Sequence, residues 1–140
     1  MASALLDASA LIAWVFDEPG GRIIEAILES GEAATTPLAI AETLITCRRK
    51  GLQMEDAELQ ELLASFGLHS EPVIADDVDA IVANIALSDA FRRSHPKAGS
   101  LSIADATCLA VAKRLGVPAV VSDMYWDNLD LDGVEVRRFR

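Results

Sequence analysis

Nowhere in this chain do apolar residues run long enough to cross a bilayer. The longest stretches, such as ALIAWVF at residues 10–16, fall far short of the roughly 20 residues a spanning helix needs. The amino terminus, MASALLDASAL, has no basic stretch ahead of its apolar run and already carries Asp7, so no secretory signal is expected. Cysteine is scarce. Cys47 and Cys108 sit inside apolar helical patterns, outside any metal-ligand or disulfide spacing, and read as small buried hydrophobes in a reducing compartment. The expected location is therefore the cytoplasm. Positive charge is scarce as well: 12 basic residues face 22 acidic ones, for a net charge of −10. That balance argues against sequence-independent attraction to nucleic acid through a basic surface. It leaves open a phosphodiester substrate handled through metal ions, because a divalent cation reverses the sign of an acidic pocket. Internal repeats, low-complexity tracts and long Gly/Ser linkers are absent.

What is present is the composition of an ordinary folded domain. With 51% hydrophobic and 24% charged residues over 140 positions, the whole of 1–140 reads as one unit able to bury a core. SALL (3–6) predicts a short strand, and residues 9–16 a helix with Ser9 as its cap. Ile23, Ile24, Ile27 and Leu28 recur at helical spacing in GGRIIEAILESG, which stops at Gly31. AATT (33–36) predicts a second strand. Thr36 and Pro37 supply a cap and a first-turn proline for a helix to about Lys50, with Gly51 closing it. Residues 55–66 predict a helix, PVIA (72–75) a strand and 76–93 a further helix. After the loop RRSHPKAGS come the helix of 101–116, the apolar strand PAVVS (118–122) and a partly exposed last strand in GVEVRRF (133–139).

Strands separated by helices imply right-handed crossovers and an α/β fold: a central parallel sheet of four to five short strands with helices on both faces. In such sheets the ligand crevice lies beyond the carboxyl ends of the strands. Asp7 directly follows SALL and Asp123 directly follows PAVVS, so both are expected at that edge.

Asp105 is the odd letter in LSIADATCLAVAKRLG, sharing a helical stripe with the apolar Leu101, Cys108, Leu109 and Ala112. Singly, each acid has a local explanation. Asp105 completes a capping box with Ser102, Asp7 and Asp123 suit caps or turns, and Glu42 suits the margin of an apolar arc beside Leu38 and Ile45. One arrangement explains all four together. Two acids leave strand ends at one edge, one opens a helix aimed there, and one lies on a helix crossing above. Gathered carboxylates repel, and burying them unpaired raises their pKa values or opens the site. A hard divalent cation such as Mg²⁺, with Mn²⁺ as substitute, resolves the conflict through oxygen ligands.

With these residues in order, LLDASALIAWVFDEPGG, TTPLAIAETLITCRRKG, LSIADATCLAVAKRLGVPAVVSD, the turn MYW and the strand VEVRRF, the chain resembles the PIN-domain ribonucleases almost end to end. Within them it resembles the VapC-type toxins of toxin–antitoxin pairs. The order and spacing carry the resemblance, since D-x-S or A-E alone is common by chance. The resemblance implies a single PIN-like nuclease domain with metal-dependent endoribonuclease activity. It places the catalytic acids at Asp7, Glu42, Asp105 and Asp123. Asp7 and Asp105 are then metal ligands, Asp123 completes the shell directly or through water, and Glu42 orients a water or holds a second ion. Ser9 and Ser102 match the family's small hydroxyl residues. Asp127, near Asn128, has a supporting role, and Asp123 is preferred as the fourth acid because it directly follows its strand. A homodimer and a small antitoxin whose tail covers the acids are implied as partners, and a membrane is not.

Other residues carry weaker signals. His69 and His95 lie in loop regions with no activated serine or cysteine beside them, which points to structural roles. Arg48 and Arg49 suit a helix carboxyl terminus, or contact with RNA phosphates, and Arg92 and Arg93, before the Asp105 helix, suit a solvated face or a guide for RNA phosphates. Trp14 and Trp126 read as packing or interface residues. Two other classes remain: a catalytically inactive PIN-like module that only binds protein or RNA, and another Mg²⁺-dependent α/β phosphohydrolase. The second fits poorly with Ser9, since haloacid-dehalogenase-type phosphatases carry an acid two residues after the first.

Overall fold

The computed structural model describes residues 1–122, 131 and 133–140. Five parallel strands form one sheet in the order β3-β2-β1-β4-β5. They are β1 (Ala4–Leu6), β2 (Ala33–Thr35), β3 (His69–Ser70), β4 (Ala119–Val121) and β5 (Val136–Arg138). Helices α1 (Ala8–Val15) and α2 (Gly21–Glu29) join β1 to β2, and α3 (Pro37–Arg49) and α4 (Asp56–Ser65) join β2 to β3. A 3₁₀ turn at Ala75–Asp77, α5 (Val78–Ser94) and α6 (Ile103–Leu115) lead on to β4. The chain moves outward from β1 to β3 and then returns to lay β4 against the other side of β1. The order reverses there, and a crevice opens beyond the strand ends at such a reversal.

Alternation along the strands divides the core into two layers. Ala4, Leu6 and Val120 face one layer, with Leu11, Ile24, Leu28, Cys47 and Leu63 from the helices. Leu5, Ala119 and Val121 face the other, where α6 contributes Cys108, Leu109, Val111 and Ala112. Helix α6 is held to α5 by polar contacts too: the Asn84 side-chain amide donates to the Ala106 carbonyl at 3.1 Å, and the Leu101 N–H donates to Ser88 Oγ at 3.2 Å.

Three expectations need correction. PVIA is not a strand; the sheet is joined instead by His69–Ser70, and residues 75–77 turn into α5. A guanidinium explains the shift. Arg114 of α6 donates to Asp77 Oδ1 at 2.9 Å, to Glu71 Oε1 at 3.1 Å and to the Pro72 carbonyl at 2.8 Å, pinning this segment to α6. Ser9 does not cap α1, because Asp7 occupies the cap with extended backbone and accepts the Ala10 N–H at 2.9 Å. On α3 the buried stripe is Ala39, Thr43 and Cys47, whereas Leu38 and Ile45 beside Glu42 are exposed.

Candidate active site

Asp7 stands at the carboxyl end of β1, beside β4, where the strand order reverses. The residue is 3% exposed. The Ser9 hydroxyl lies 2.6 Å from Oδ1 and 2.8 Å from Oδ2, and the Ala10 N–H reaches Oδ1. A hydroxyl has one proton to share between two oxygens, so Oδ2 holds only part of one donor among the described residues, although a carboxylate can accept several hydrogen bonds. Ser9 Oγ in turn accepts the Ser122 N–H at 3.2 Å. One serine thus links the end of β1 to the end of β4.

Helix α6 aims its amino terminus with a capping box. Ser102 Oγ accepts the Asp105 N–H, and Asp105 Oδ2 accepts the Ser102 N–H, each at 3.1 Å. Asp105 is partly buried at the solvent end of the stripe whose other members form the core. Glu42, also partly buried, lies one turn into α3 past the Thr36 cap, which accepts the Ala39 N–H at 3.1 Å. The local roles of Asp7 and Asp105 as caps are real, and they coexist with convergence.

Electrostatics reveals that convergence. Burial pushes the Asp7 carboxyl from its ordinary 3.8 up to about 7, against the lowering hydrogen bonds from Ser9 and Ala10, and the charges of Asp105 and Glu42 raise it further. Burial raises Glu42 as well, with Asp105 as the second cause. Among the described residues, no lysine or arginine perturbs either carboxyl. The Cys108 thiol beneath them, 3.7 Å from Thr36 Oγ1, is pushed far up by burial and then by Asp7, which leaves it inert as a nucleophile.

This donor set fits a hard cation. The donors are carboxylate oxygens of one sign, one of them buried and short of hydrogen-bond donors, with no cationic side chain among the described residues to neutralise it. Among the described residues, no three His, Cys, Asp or Glu side chains are grouped tightly enough to hold a metal ion unaided. Asp123, Trp126, Asp127 and Asn128 lie outside the described residues.

The remaining candidates occupy ordinary environments. Arg48 pairs with Asp56, Lys50 with Glu18 at 2.6 Å, and Arg49, Arg92 and Arg93 are exposed. His69 meets Glu71 at 2.9 Å, and His95 stacks on Phe91. Trp14 packs edge-on against Phe66 with centroids 5.3 Å apart. Sequence reasoning missed Ser122, whose contribution is a backbone N–H and leaves no side-chain signal.

The chain belongs to the PIN domain family, whose description matches residues 4–130. Its structural neighbours include a VapC toxin and VapBC and FitAB complexes. It is similar to VapC20 of Mycobacterium tuberculosis, described as a sarcin-ricin loop cleaving toxin, at 18% identity and TM-score 0.69, covering 95% of this chain and 99% of that one. It is also similar to DNA-bound VapBC from Salmonella typhimurium, at 14% identity and TM-score 0.64, with both chains fully covered. A third is VapBC-5 of M. tuberculosis, at 20% identity and TM-score 0.57, covering 99% of each chain. At these identities the likeness shows a shared fold. No curated protein sequence matches the chain.

Proposed function

We propose that this protein is a metal-dependent endoribonuclease, the toxin of a VapBC-type pair, acting in the cytoplasm as a homodimer and silenced by a small antitoxin. The observation that carries this reading is Asp7: a buried carboxylate, short of donors, at the sheet's reversal point and in the field of Glu42 and Asp105. Asp7 and Asp105 would hold Mg²⁺ or Mn²⁺, Asp123 would complete the set with Asp127 in support, and Glu42 would orient a water or hold a second ion. When bound, the ion supplies an acidified water and offsets charge on the phosphoryl oxygens. Ser9 fixes the Asp7 carboxylate through its shared hydrogen bond, and Ser102 fixes the α6 terminus that presents Asp105. Hydrolysis by water leaves a 5′-phosphate and a 3′-hydroxyl.

Partners follow from the surface. Exposed Leu38 and Ile45 on α3, Val78 and Val82 on α5 and Ile103 on α6 offer apolar area for a second copy. Neighbouring structures are toxin–antitoxin complexes, one from Klebsiella pneumoniae and one bound to DNA, which supports an antitoxin partner here. Exposed Arg49, Arg92 and Arg93, with Arg48, are the candidates for RNA phosphates. Among the described residues, no helix is long and apolar enough to cross a membrane.

The test is incubation of the purified full chain with structured RNA, with and without Mg²⁺. Metal-dependent fragments bearing 5′-phosphates are expected, and they disappear in Asp7→Asn and Asp105→Asn while the circular dichroism spectrum is unchanged. Intact RNA at every Mg²⁺ and Mn²⁺ concentration would favour an inactive binding module. Turnover of a phosphomonoester but not RNA would favour another phosphohydrolase.

A further inference from the structure

The three central strands are built of Ala, Leu and Val except at one position, Thr35, the last residue of β2. Thr36 follows it, and both residues are fully buried. Valine has the same shape and needs no partner, whereas a buried hydroxyl is tolerated only when it is hydrogen-bonded. Both hydroxyls are partnered, and the partners lie on the elements that carry the acids.

Thr35 grips β1. The β1–β2 ladder ends with Leu5 paired to Ala34, and the Leu6 carbonyl just past it accepts the Thr35 hydroxyl at 2.8 Å. The N–H of the same peptide unit, that of Asp7, donates to the Val120 carbonyl of β4 at 3.3 Å. The peptide leading into Asp7 is thus held from both neighbouring strands, with a side chain serving the carbonyl where β2 gives way to α3. The Thr35 carbonyl accepts the Glu71 N–H at 2.8 Å, which fixes this residue from the β3 side.

Thr36 grips α3 and α6. Its hydroxyl oxygen accepts the Ala39 N–H at 3.1 Å, setting the first turn of the helix that carries Glu42. The same oxygen lies 3.7 Å from Cys108 Sγ, one turn beyond Asp105 on α6. A hydroxyl oxygen accepts and its proton donates, so both contacts are held at once. Thr43 provides the contrast. It is equally buried, but its hydroxyl donates to the Ala39 carbonyl within α3 at 2.7 Å and joins no two elements.

We infer that Thr35 and Thr36 are positioning residues of the acid site: through two hydroxyl groups, this dipeptide holds β1, α3 and α6 at the spacing that brings Asp7, Glu42 and Asp105 together. The inference rests on reading those acids as one metal-holding site. Neither hydroxyl is a ligand; each acts through the element it holds.

The experiment measures Mn²⁺ affinity of the purified full chain by water-proton relaxation, together with melting temperature. The proteins are the parent, Thr35→Val, Thr36→Val, Thr35→Ser, Thr36→Ser and Thr43→Val. Valine keeps the shape and removes the hydroxyl, whereas serine keeps the hydroxyl and removes a methyl group. Thr35→Val and Thr36→Val should each bind Mn²⁺ about tenfold more weakly, the loss typical of removing a group that orients metal ligands. Both serine variants and Thr43→Val should melt at lower temperature yet bind Mn²⁺ as the parent does. Parent-like affinity in Thr35→Val and Thr36→Val would overturn the inference, and so would affinity that falls in step with melting temperature across all the variants. Should a valine variant not fold, its serine counterpart decides: parent-like affinity with a lowered melting temperature supports the inference, and weakened affinity overturns it. Absence of Mn²⁺ binding in the parent defeats the metal-site reading and this inference with it. Binding by the parent that the valine substitutions leave undiminished defeats this inference alone.

Discussion

The Ser9 hydroxyl sits between the two carboxylate oxygens of Asp7, 2.6 Å from one and 2.8 Å from the other, and accepts the Ser122 N–H on its far side. Through this one side chain, the residue after β1 and the residue after β4 are held as a unit, at the point where the sheet order reverses.

Ser9→Ala removes a donor that holds the Asp7 charge and strands the Ser122 N–H. The expected loss of stability is about 1 kcal/mol, read from urea unfolding. RNA cleavage falls by more than that loss explains, and its dependence on Mg²⁺ shifts to higher concentration because the Asp7 carboxylate is no longer fixed. Unchanged cleavage at every Mg²⁺ concentration would remove Ser9 from the site.

The raised Asp7 carboxyl makes the metal-free protein sensitive to pH in a defined direction. Folding raises its pKa from 3.8 to about 7, so the contribution of this one group to stability is largest below pH 4 and declines as pH rises to about 7. Asp7→Asn keeps an oxygen for Ser9 and Ala10 without the charge. In chelator at pH 8 its melting temperature should exceed the parent's by on the order of 5 °C, and at pH 4 the two should nearly coincide. A parent more stable than Asp7→Asn in chelator at pH 8 would show that Asp7 is compensated by a group other than a metal.

Helix capping and chemistry separate at the start of α6. Ser102→Ala loses one half of the capping box and should cost about 1 kcal/mol, with RNA cleavage retained within a few-fold. Asp105→Asn should do the opposite, leaving the fold within about 0.5 kcal/mol and abolishing cleavage. Urea unfolding and the cleavage assay, run on both proteins, distinguish the roles.

Arg114 fastens the segment before α5. Asp77 is 2% exposed and has Arg114 as its charged partner, so Arg114→Ala leaves that carboxylate buried and unpaired. The expected loss is about 3 kcal/mol in urea unfolding. Adding Asp77→Asn should recover much of it, whereas no recovery would assign the loss to packing of the arginine stem.

Most of the α/β architecture was legible because each element carries its own periodicity and punctuation. Thr36–Pro37 opens α3, Gly116 closes α6 with a left-handed backbone, and PAVVS has no polar alternation because both of its faces are buried. The misassigned strand at 72–75 shows the limit of local reading. A short apolar run beside a proline looks like a strand until Arg114, more than 35 residues away in the sequence, pins it elsewhere. Of the candidate acids, Asp7 at the end of β1 and Asp105 at the start of α6 stand where the sequence pattern put them, and Asp123 lies outside the described residues. Ser9 was read as a cap because Asp7 and Ser9 both satisfy the cap's chemistry two residues apart. Only the tertiary position of Ser122 shows why the acid takes the cap and the serine braces it.

The most direct measurement is Mn²⁺ binding to the purified protein, followed by water-proton relaxation and competed with Mg²⁺, for the parent, Asp7→Asn, Asp105→Asn and the exposed-site control Arg22→Glu. The acid site predicts Mn²⁺ binding in the parent and the control, displacement by Mg²⁺, and at least tenfold weaker binding in both Asn variants. No binding by the parent, or equal binding by all four proteins, would contradict it.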